Sequence, residues 1–320
     1  MKVIIRRKIA IILSATFVFA LNTFGQTRSD VINLYNEGVK AIQTNIDSAV
    51  LKFEDVIKIS AQVGETADDL KQKAIQTLPS LYLKSASGKL SEKKPAAEVI
   101  SATRQALASA EKYGNAPVKE NAGKILLQAY NRMATEFASK KEYEKALAAF
   151  DSVLAINPDY LPAIYNKALI YRNQNNPAAF EETIDKYLTK AEEKDKAKAS
   201  ALGLEYFRAA GSKANQAGTL DEAMNLLNKA AKYGDDKDLF YYFADVYNKQ
   251  KNHDKAADCA AKGLGLETGA AEAKAKFHFQ IGIAQAGKGQ TAEACESFKN
   301  SSYGPFAEAS KAQRTNLKCK

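Results

Sequence analysis

The sequence contains little or no tryptophan, proline, histidine and cysteine. Among its 320 residues there is no tryptophan, there are seven prolines and two histidines, and cysteine occurs three times. Proline breaks helices, whereas alanine and lysine, which are abundant here, are good helix formers. The composition therefore indicates an all-α protein and argues against a sheet protein.

Motifs of known catalytic sites are missing as well. The two histidines, His253 and His278, are each predicted near a turn or on a helix surface. No HExxH, GxSxG, Walker A or GxGxxG motif occurs in a fitting context. Residues 287–290 resemble a phosphate loop only in composition, because they join two predicted helices and follow no strand. We expect no catalysis, no catalytic residues and no bound cofactor.

The three cysteines are Cys259, Cys295 and Cys319. This number allows one disulfide with a leftover thiol, or three free thiols. The alanine neighbours of Cys259 and Cys295 favour small core residues in helices. The alternative is a bridge from Cys319 to Cys295 that holds the C-terminal tail. No CxxC spacing supports a redox or metal site, so no metal is expected.

The N-terminal 25 residues have the pattern of a secretory signal peptide. A positive segment with Lys2, Arg6, Arg7 and Lys8 precedes an apolar run over residues 9–19. Small and polar residues follow, so cleavage near Gly25 is expected. An uncleaved membrane anchor is the alternative, although the apolar run is shorter than the ~20 residues of a typical span. The interpretation predicts an exported protein, periplasmic or secreted, with no membrane span after cleavage.

The charge is modest once this segment is removed. Four of the 46 basic residues lie in it and none of the 37 acidic residues does, which leaves 42 basic residues against 37 acidic ones. Lysine and glutamate alternate along the chain as they do on solvated helix surfaces. Without a basic stripe that also carries aromatic residues, nucleic acid is not an expected partner.

Residues 127–158 show the clearest pattern, which predicts two short amphipathic helices. Tyr130, Met133, Ala134 and Phe137 fall at i, i+3, i+4 and i+7, on one face of a helix. The pattern breaks at residues 140–142, and a second apolar face follows. It ends at Pro158, because the residue before a proline is disfavoured in the α region.

The same organisation returns along the chain. The anchor of the second helix recurs at Ala146, Phe180, Ala223, Ala256 and Ala294, at intervals of 34, 43, 33 and 38 residues. Small residues recur where the two helices would cross, at Ala134, Ala168, Gly211, Ala244 and Gly282. Less regular pairs precede them, over residues 30–59, with Asp47 as the expected N-cap of the second helix, and over residues 67–113, with a connector at 87–94.

This spacing resembles the tetratricopeptide repeat (TPR), a 34-residue helix–turn–helix unit. The resemblance implies an all-α, TPR-like α-solenoid of stacked antiparallel helix pairs that forms a right-handed superhelix. We expect irregular TPR-like pairs over residues 26–118, the repeat array over 119–303, and a C-terminal capping helix and tail over 304–320. Repeat arrays need such a cap because the last apolar face would otherwise meet water.

The resemblance also implies a concave groove, lined by the first helices, that binds an extended peptide or a helix of a protein partner. By the register of the family, the groove-facing residues are Asn131, Tyr165, Arg172, Arg208, Tyr241, Asp245 and Asn248. Asn131 stands where the carboxylate-clamp branch of the family has a lysine, so clamp-type binding is not predicted. We expect a non-catalytic interaction scaffold of the cell envelope. The alternative is a structural component of an envelope or secretion assembly.

Overall fold

The computed structural model describes residues 25–320, and over this range it contains fifteen α-helices and no strand. Residues 1–24, which hold nearly all of the predicted signal peptide, lie outside the described residues. The helices are α1 (Arg28–Thr44), α2 (Ile46–Val63), α3 (Asp68–Ser91), α4 (Ala96–Lys112), α5 (Ala116–Ser139), α6 (Tyr143–Ile156), α7 (Leu161–Asn173), α8 (Pro177–Lys190), α9 (Glu193–Gln216), α10 (Leu220–Ala231), α11 (Lys237–Lys249), α12 (His253–Leu266), α13 (Ala271–Gly287), α14 (Thr291–Asn300) and α15 (Ala307–Asn316).

The chain divides into two compact units, one ending at Arg132 and the other comprising Met133–Lys320. In the first unit, helices α1 to α4 pack consecutively, and α1 also touches α3. The core of this unit is formed by Val31, Phe53, Val56 and leucines of α3.

In the second unit each helix from α6 to α15 packs against the next one, and α11 also contacts both α9 and α13. Short connections between packed neighbours make consecutive helices antiparallel, so this unit is a stack of helix pairs. The predicted all-α class and solenoid-like stacking are confirmed.

The predicted anchors form the core of the second unit. Ala146, Phe180, Ala223, Ala256 and Ala294 are all completely buried. The small residues lie at helix crossings: a Cβ added to Gly211 would be 2.8 Å from Leu227, and one added to Gly282 would be 2.8 Å from Phe298. Close approach of the two helices therefore requires a small residue at this position of the repeat.

The turn between the helices of a pair has one backbone geometry throughout the second unit. One residue has a positive φ in each turn: Lys141, Asn175, Gly218, Lys251 and Gly289. Each lies five residues before the anchor of the following helix. These left-handed residues end the first helix and redirect the chain, as in common C-terminal caps.

The two long intervals of the sequence pattern arise from longer first helices. Helix α9 has 24 residues and α13 has 17, whereas α7 and α11 have 13 each. The 43-residue interval therefore reflects an N-terminal extension of α9, and the turn between α9 and α10 is unchanged.

The C-terminal segment, residues 304–320, is held against the last helix pair by packing and by a disulfide. After a 3-10 turn over Gly304–Phe306, α15 packs against α14. The Phe306 ring lies 5.4 Å from that of Phe279, between centroids. A disulfide joins Cys295 of α14 to Cys319, so of the alternatives left open by the sequence the tail-holding bridge is the correct one. Cys259 is a free, partly buried thiol.

Three local predictions were wrong. The N-cap of α2 is Asn45, whose side chain accepts a hydrogen bond from the Ser48 amide, while Asp47 lies in the first turn and binds Lys89 at 2.7 Å. Helix α3 continues to Ser91, so the first five residues of the expected connector are helical, and Lys89 among them pairs with Asp47 of α2. Helix α5 begins at Ala116, well before residue 127, with Pro117 in its first turn, where the missing amide is harmless.

Candidate functional site: a polar row on the first helices

Four of the seven predicted groove residues lie on α9 and α11 of the second unit: Arg208, Tyr241, Asp245 and Asn248. Tyr165 and Arg172 lie on α7 of the same unit, and both are partly exposed. Asn131 lies on α5 within the first unit, where it is partly buried. Side-chain contacts join the residues of α9 and α11 to polar groups of α13. We call these contacting side chains the polar row: Arg208, Asn215, Asp236, Asp238, Tyr241, Asp245, Asn248, Lys249, Lys276 and Gln280.

One end of the polar row is a chain of alternating charges. Arg208 of α9 forms an ion pair with Asp236, and its guanidinium is 3.9 Å from Asp238. Asp236 is also the N-cap of α11, since its other carboxylate oxygen accepts a hydrogen bond from the Leu239 amide at 2.7 Å. Lys276 of α13 pairs with Asp238 on the far side. The cations thus flank the two carboxylates at the start of α11.

Tyr241 occupies the middle of the row. The Tyr241 ring stands edge-on to that of Phe277, with 6.2 Å between centroids. The Lys276 ammonium lies over the Tyr241 ring, 5.5 Å from its centroid. Burial, followed by the nearby charge of Asp245, raises the pKa of the Tyr241 phenol to about 12. The hydroxyl is therefore neutral under physiological conditions and can both donate and accept a hydrogen bond.

Asp245 is the most connected acceptor of the row. It accepts hydrogen bonds from Asn215 Nδ2 at 2.6 Å and from Gln280 Nε2 at 3.0 Å, and it forms an ion pair with Lys249 at 2.9 Å. Lys249 also donates to the Asn215 side chain at 2.8 Å. One carboxylate therefore links three consecutive first helices, α9, α11 and α13.

Asn248 is a connection between repeats. Only 8% of the residue is exposed, and its Nδ2 donates to both the backbone oxygen and the side-chain oxygen of Gln280, at 2.9 Å each. Its own oxygen lies 3.3 Å from Nδ1 of His253, the first residue of α12. Because these groups occupy the amide, Asn248 positions the neighbouring helix.

Six members of the row were missed by sequence reasoning, and two of them, Asn215 and Gln280, donate amide hydrogen bonds to Asp245. Asn215 lies 33 residues before Asn248 and 43 after Arg172, at the same position of the repeat, so the register alone identifies it. Gln280 gives no such signal. Gln280 occupies a different position of its repeat from the predicted groove residues, and its side-chain amide donates a hydrogen bond to Asp245.

The α7 end of this face is aromatic. The rings of Tyr165 and Tyr187 lie 5.2 Å apart between centroids, and the Lys198 ammonium is 5.2 Å from the Tyr165 ring. An open pocket of about 530 Å³ adjoins them. The first-helix face thus offers an aromatic pocket at α7 and paired charges and amides from α9 to α13. Such groups can contact peptide backbone and side chains.

Neither a metal-binding cluster nor a membrane-spanning helix occurs in residues 25–320. Within this range no group of three or more histidine, cysteine, aspartate or glutamate side chains is arranged to hold a metal ion. Over the same range no helix combines the length and apolar character needed to cross a membrane.

Comparisons with known proteins agree with the helix-pair organisation. Residues 127–160 match the tetratricopeptide repeat family, which coincides with the stretch that carries the clearest pattern. No curated protein is significantly similar to the chain in sequence.

Several solved structures are similar at low identity. The MamA protein is 20% identical, with a TM-score of 0.36, over 61% of this chain and 97% of that one. YrrB, described as "a TPR protein with an unusual peptide-binding site", is 19% identical, with a TM-score of 0.36, over 57% of this chain and 91% of its own. A tetratricopeptide repeat protein from Parabacteroides merdae ATCC 43184 is 18% identical, with a TM-score of 0.29, over 90% of this chain and 98% of its own.

Proposed function

We propose that this tetratricopeptide-repeat protein is a non-catalytic scaffold that binds an extended peptide or a helix of a partner protein along its first helices. The observation that carries the proposal is the continuous row of polar groups on α9, α11 and α13, which extends beyond one helix pair. A row of this length, in the same unit as an aromatic pocket beside α7, suits an elongated ligand better than a compact one.

We assign direct contacts to residues that keep exposed polar or aromatic surface. Tyr165, Arg172, Arg208, Tyr241 and Asp245 are all partly exposed on the second unit. Asn131 remains a proposed contact on the first unit. We assign no direct ligand contact to Asn248, because its side-chain amide is already hydrogen-bonded to Gln280 of the next repeat.

We also propose that the protein is exported to the cell envelope. The signal-like residues 1–25 motivate this location, and the Cys295–Cys319 disulfide supports it. Disulfides persist in the periplasm and outside the cell but are rare in the reducing cytosol. Fractionation of cells expressing the full chain tests the proposal, because a protein retained in the cytosol with both thiols reduced would contradict it.

Site-specific photocrosslinking in native cells tests the binding face. A photoreactive amino acid at position 172, at the end of α7, is expected to give a covalent adduct of defined mass. The same group at position 186, exposed on the second helix of that pair, is the matched control and is expected to give none. Tyr241→Ala should reduce the adduct at position 172. Equal adducts at both positions, or none at position 172, would refute the binding face.

A second candidate function is a component of a larger envelope assembly. It is favoured by apolar side chains exposed on α1, where Ile32 and Val39 are 38% and 43% exposed and lie seven residues apart, on one helix face. Sedimentation of the exported protein decides between the two, because a strictly monomeric species at all concentrations argues against self-assembly.

A further inference from the structure

The longest insertion in the repeat array builds the wall of a pocket. Helix α9 exceeds α7 and α11 by eleven residues, and the extra turns are at its N-terminus. Three residues of this extension, Lys194, Asp195 and Lys198, line the pocket of about 530 Å³ beside Tyr165. Insertions in repeat proteins often shape the binding face, and this volume is in the usual range for ligand pockets.

The floor of the pocket is aromatic. Tyr165 of α7 and Tyr187 of α8 are in contact, with their ring planes inclined by 55°. The Lys198 ammonium lies over the Tyr165 ring, so a third ring would pack beside the tilted pair, in the offset arrangement that aromatic groups favour. Pro162, in the first turn of α7, adds apolar surface. The floor therefore fits a flat apolar side chain.

The rim carries more positive than negative charge. Two lysines line the pocket against one aspartate. Lys194 is paired with Glu192 at 2.8 Å, but both side chains are 74% exposed, so water screens this pair and a ligand carboxylate can replace it. The N-terminus of α7 lies at the same pocket, where its partial positive charge also favours an anion.

We propose that this pocket binds an aromatic side chain of the partner peptide that is flanked by carboxylates. The proposal rests on the peptide-binding function proposed above and specifies the chemistry of the bound segment. The ring of the ligand packs on Tyr165 and Tyr187, and an adjacent carboxylate pairs with Lys194 or Lys198. Because Asp195 opposes a second anion, one carboxylate contributes most of the charge preference.

Fluorine NMR with defined tripeptides tests the proposal on the full exported chain. The probe is acetyl-Asp-(4-fluoro-Phe)-Asp-amide, and the comparison peptides carry asparagine or lysine in place of both aspartates. We expect the acidic probe to bind two- to fivefold more tightly than the asparagine peptide, as for an exposed ion pair, and the lysine peptide to bind most weakly.

Variants locate the binding. Tyr165→Ala should abolish the broadening of the fluorine signal, and Lys198→Ala, at an exposed position that does not threaten folding, should remove the preference for the acidic peptide. Lys262→Ala is the matched control, because Lys262 also lies over an aromatic ring, that of Phe240 at 5.9 Å, but on α12 outside the pocket.

Two results would overturn the proposal: equal binding of the acidic and asparagine peptides, or an equal loss of binding in the Lys198 and Lys262 variants. Neither result bears on the proposed scaffold function, which depends on the crosslink at position 172. Loss of that crosslink with the tripeptide preference retained would instead count against the scaffold alone.

Discussion

Replacing Gly263 by alanine is expected to destabilise the protein, although alanine is the better helix former. Gly263 is buried in α12, where the backbone meets the following helix pair. A Cβ there would lie 2.4 Å from Cε1 of Phe277 and 3.1 Å from the backbone oxygen of Lys237. Ordinary contacts of this kind begin at 3.4 Å, so the ring would have to retreat by about 1 Å. Phe277 is completely buried, so its ring cannot move out into solvent, and protein cores are close-packed.

The magnitudes decide the sign of the change. Glycine to alanine inside a helix gains roughly 1 kcal/mol in helix propensity. Overpacking a close-packed core costs ~1–3 kcal/mol, and here a ring on one side and a carbonyl on the other place the cost in the upper half of that range. The net loss should be about 1–2 kcal/mol, measured as a lower midpoint of urea unfolding followed by circular dichroism.

Gly265→Ala is the matched control in the same helix. A Cβ at Gly265 meets nothing within 4 Å, so this variant should be unchanged or stabilised, by up to roughly 1 kcal/mol. If Gly263→Ala proves as stable as Gly265→Ala, the close approach of α12 and α13 described above is wrong.

Three further predictions concern the cap and the polar row. Cys319→Ser should cost about 3 kcal/mol, because the bridge from Cys295 closes a loop with a sequence separation of 24, and hydrogen exchange should then quicken in α15 but not in a Cys259→Ser variant. Asp245→Asn should cost ~1–3 kcal/mol in thermal unfolding, since an amide nitrogen then faces a side-chain amide donor and the pair with Lys249 is lost. Because the pKa of Tyr241 is raised to about 12, the unfolded chain ionises first above pH 10 and stability falls from pH 10 to 12, so Tyr241→Phe should lose less stability over that range.

For each of these three predictions a specific result would contradict the reasoning. An α15 that exchanges equally fast with and without the bridge would show that packing alone holds the cap. An Asp245→Asn variant with wild-type stability would mean that the carboxylate does not join the helices. A Tyr241→Phe variant that follows the wild-type pH profile would show that other groups, such as Tyr82 and Tyr233, whose pKa values are also raised by burial, dominate the loss at high pH.

The fold was largely predictable because its core follows a short period. The anchors at Ala146 and Ala256 and the crossing glycines Gly211 and Gly282 are local features that recur, and each has a steric reason visible in the sequence. Helix ends were less predictable. Asn45 and Asp47 are both good N-cap residues, and the choice between them depends on where Lys89 of another helix lies.

For the candidate site, only the position of each residue within its repeat could be predicted from the sequence. Tyr241 and Asp245 lie on one face of α11 because they are four residues apart, so this placement depends on helical spacing alone. The burial of Asn248 depends on Gln280 of the next repeat, a residue at an unrelated position, and no periodic argument finds it. The disulfide similarly depends on how the tail turns back after α15.

The left-handed turn residues bear on how such an array can lengthen or shorten over evolutionary time. Lys141, Asn175, Gly218, Lys251 and Gly289 give every pair in the second unit the same junction, although their side chains differ. Gain or loss of a whole pair therefore joins ends that already match, while an insertion at a helix N-terminus, such as that of α9, leaves the junctions intact. Duplicated pairs can then change their surface residues while they keep the same turn between the two helices.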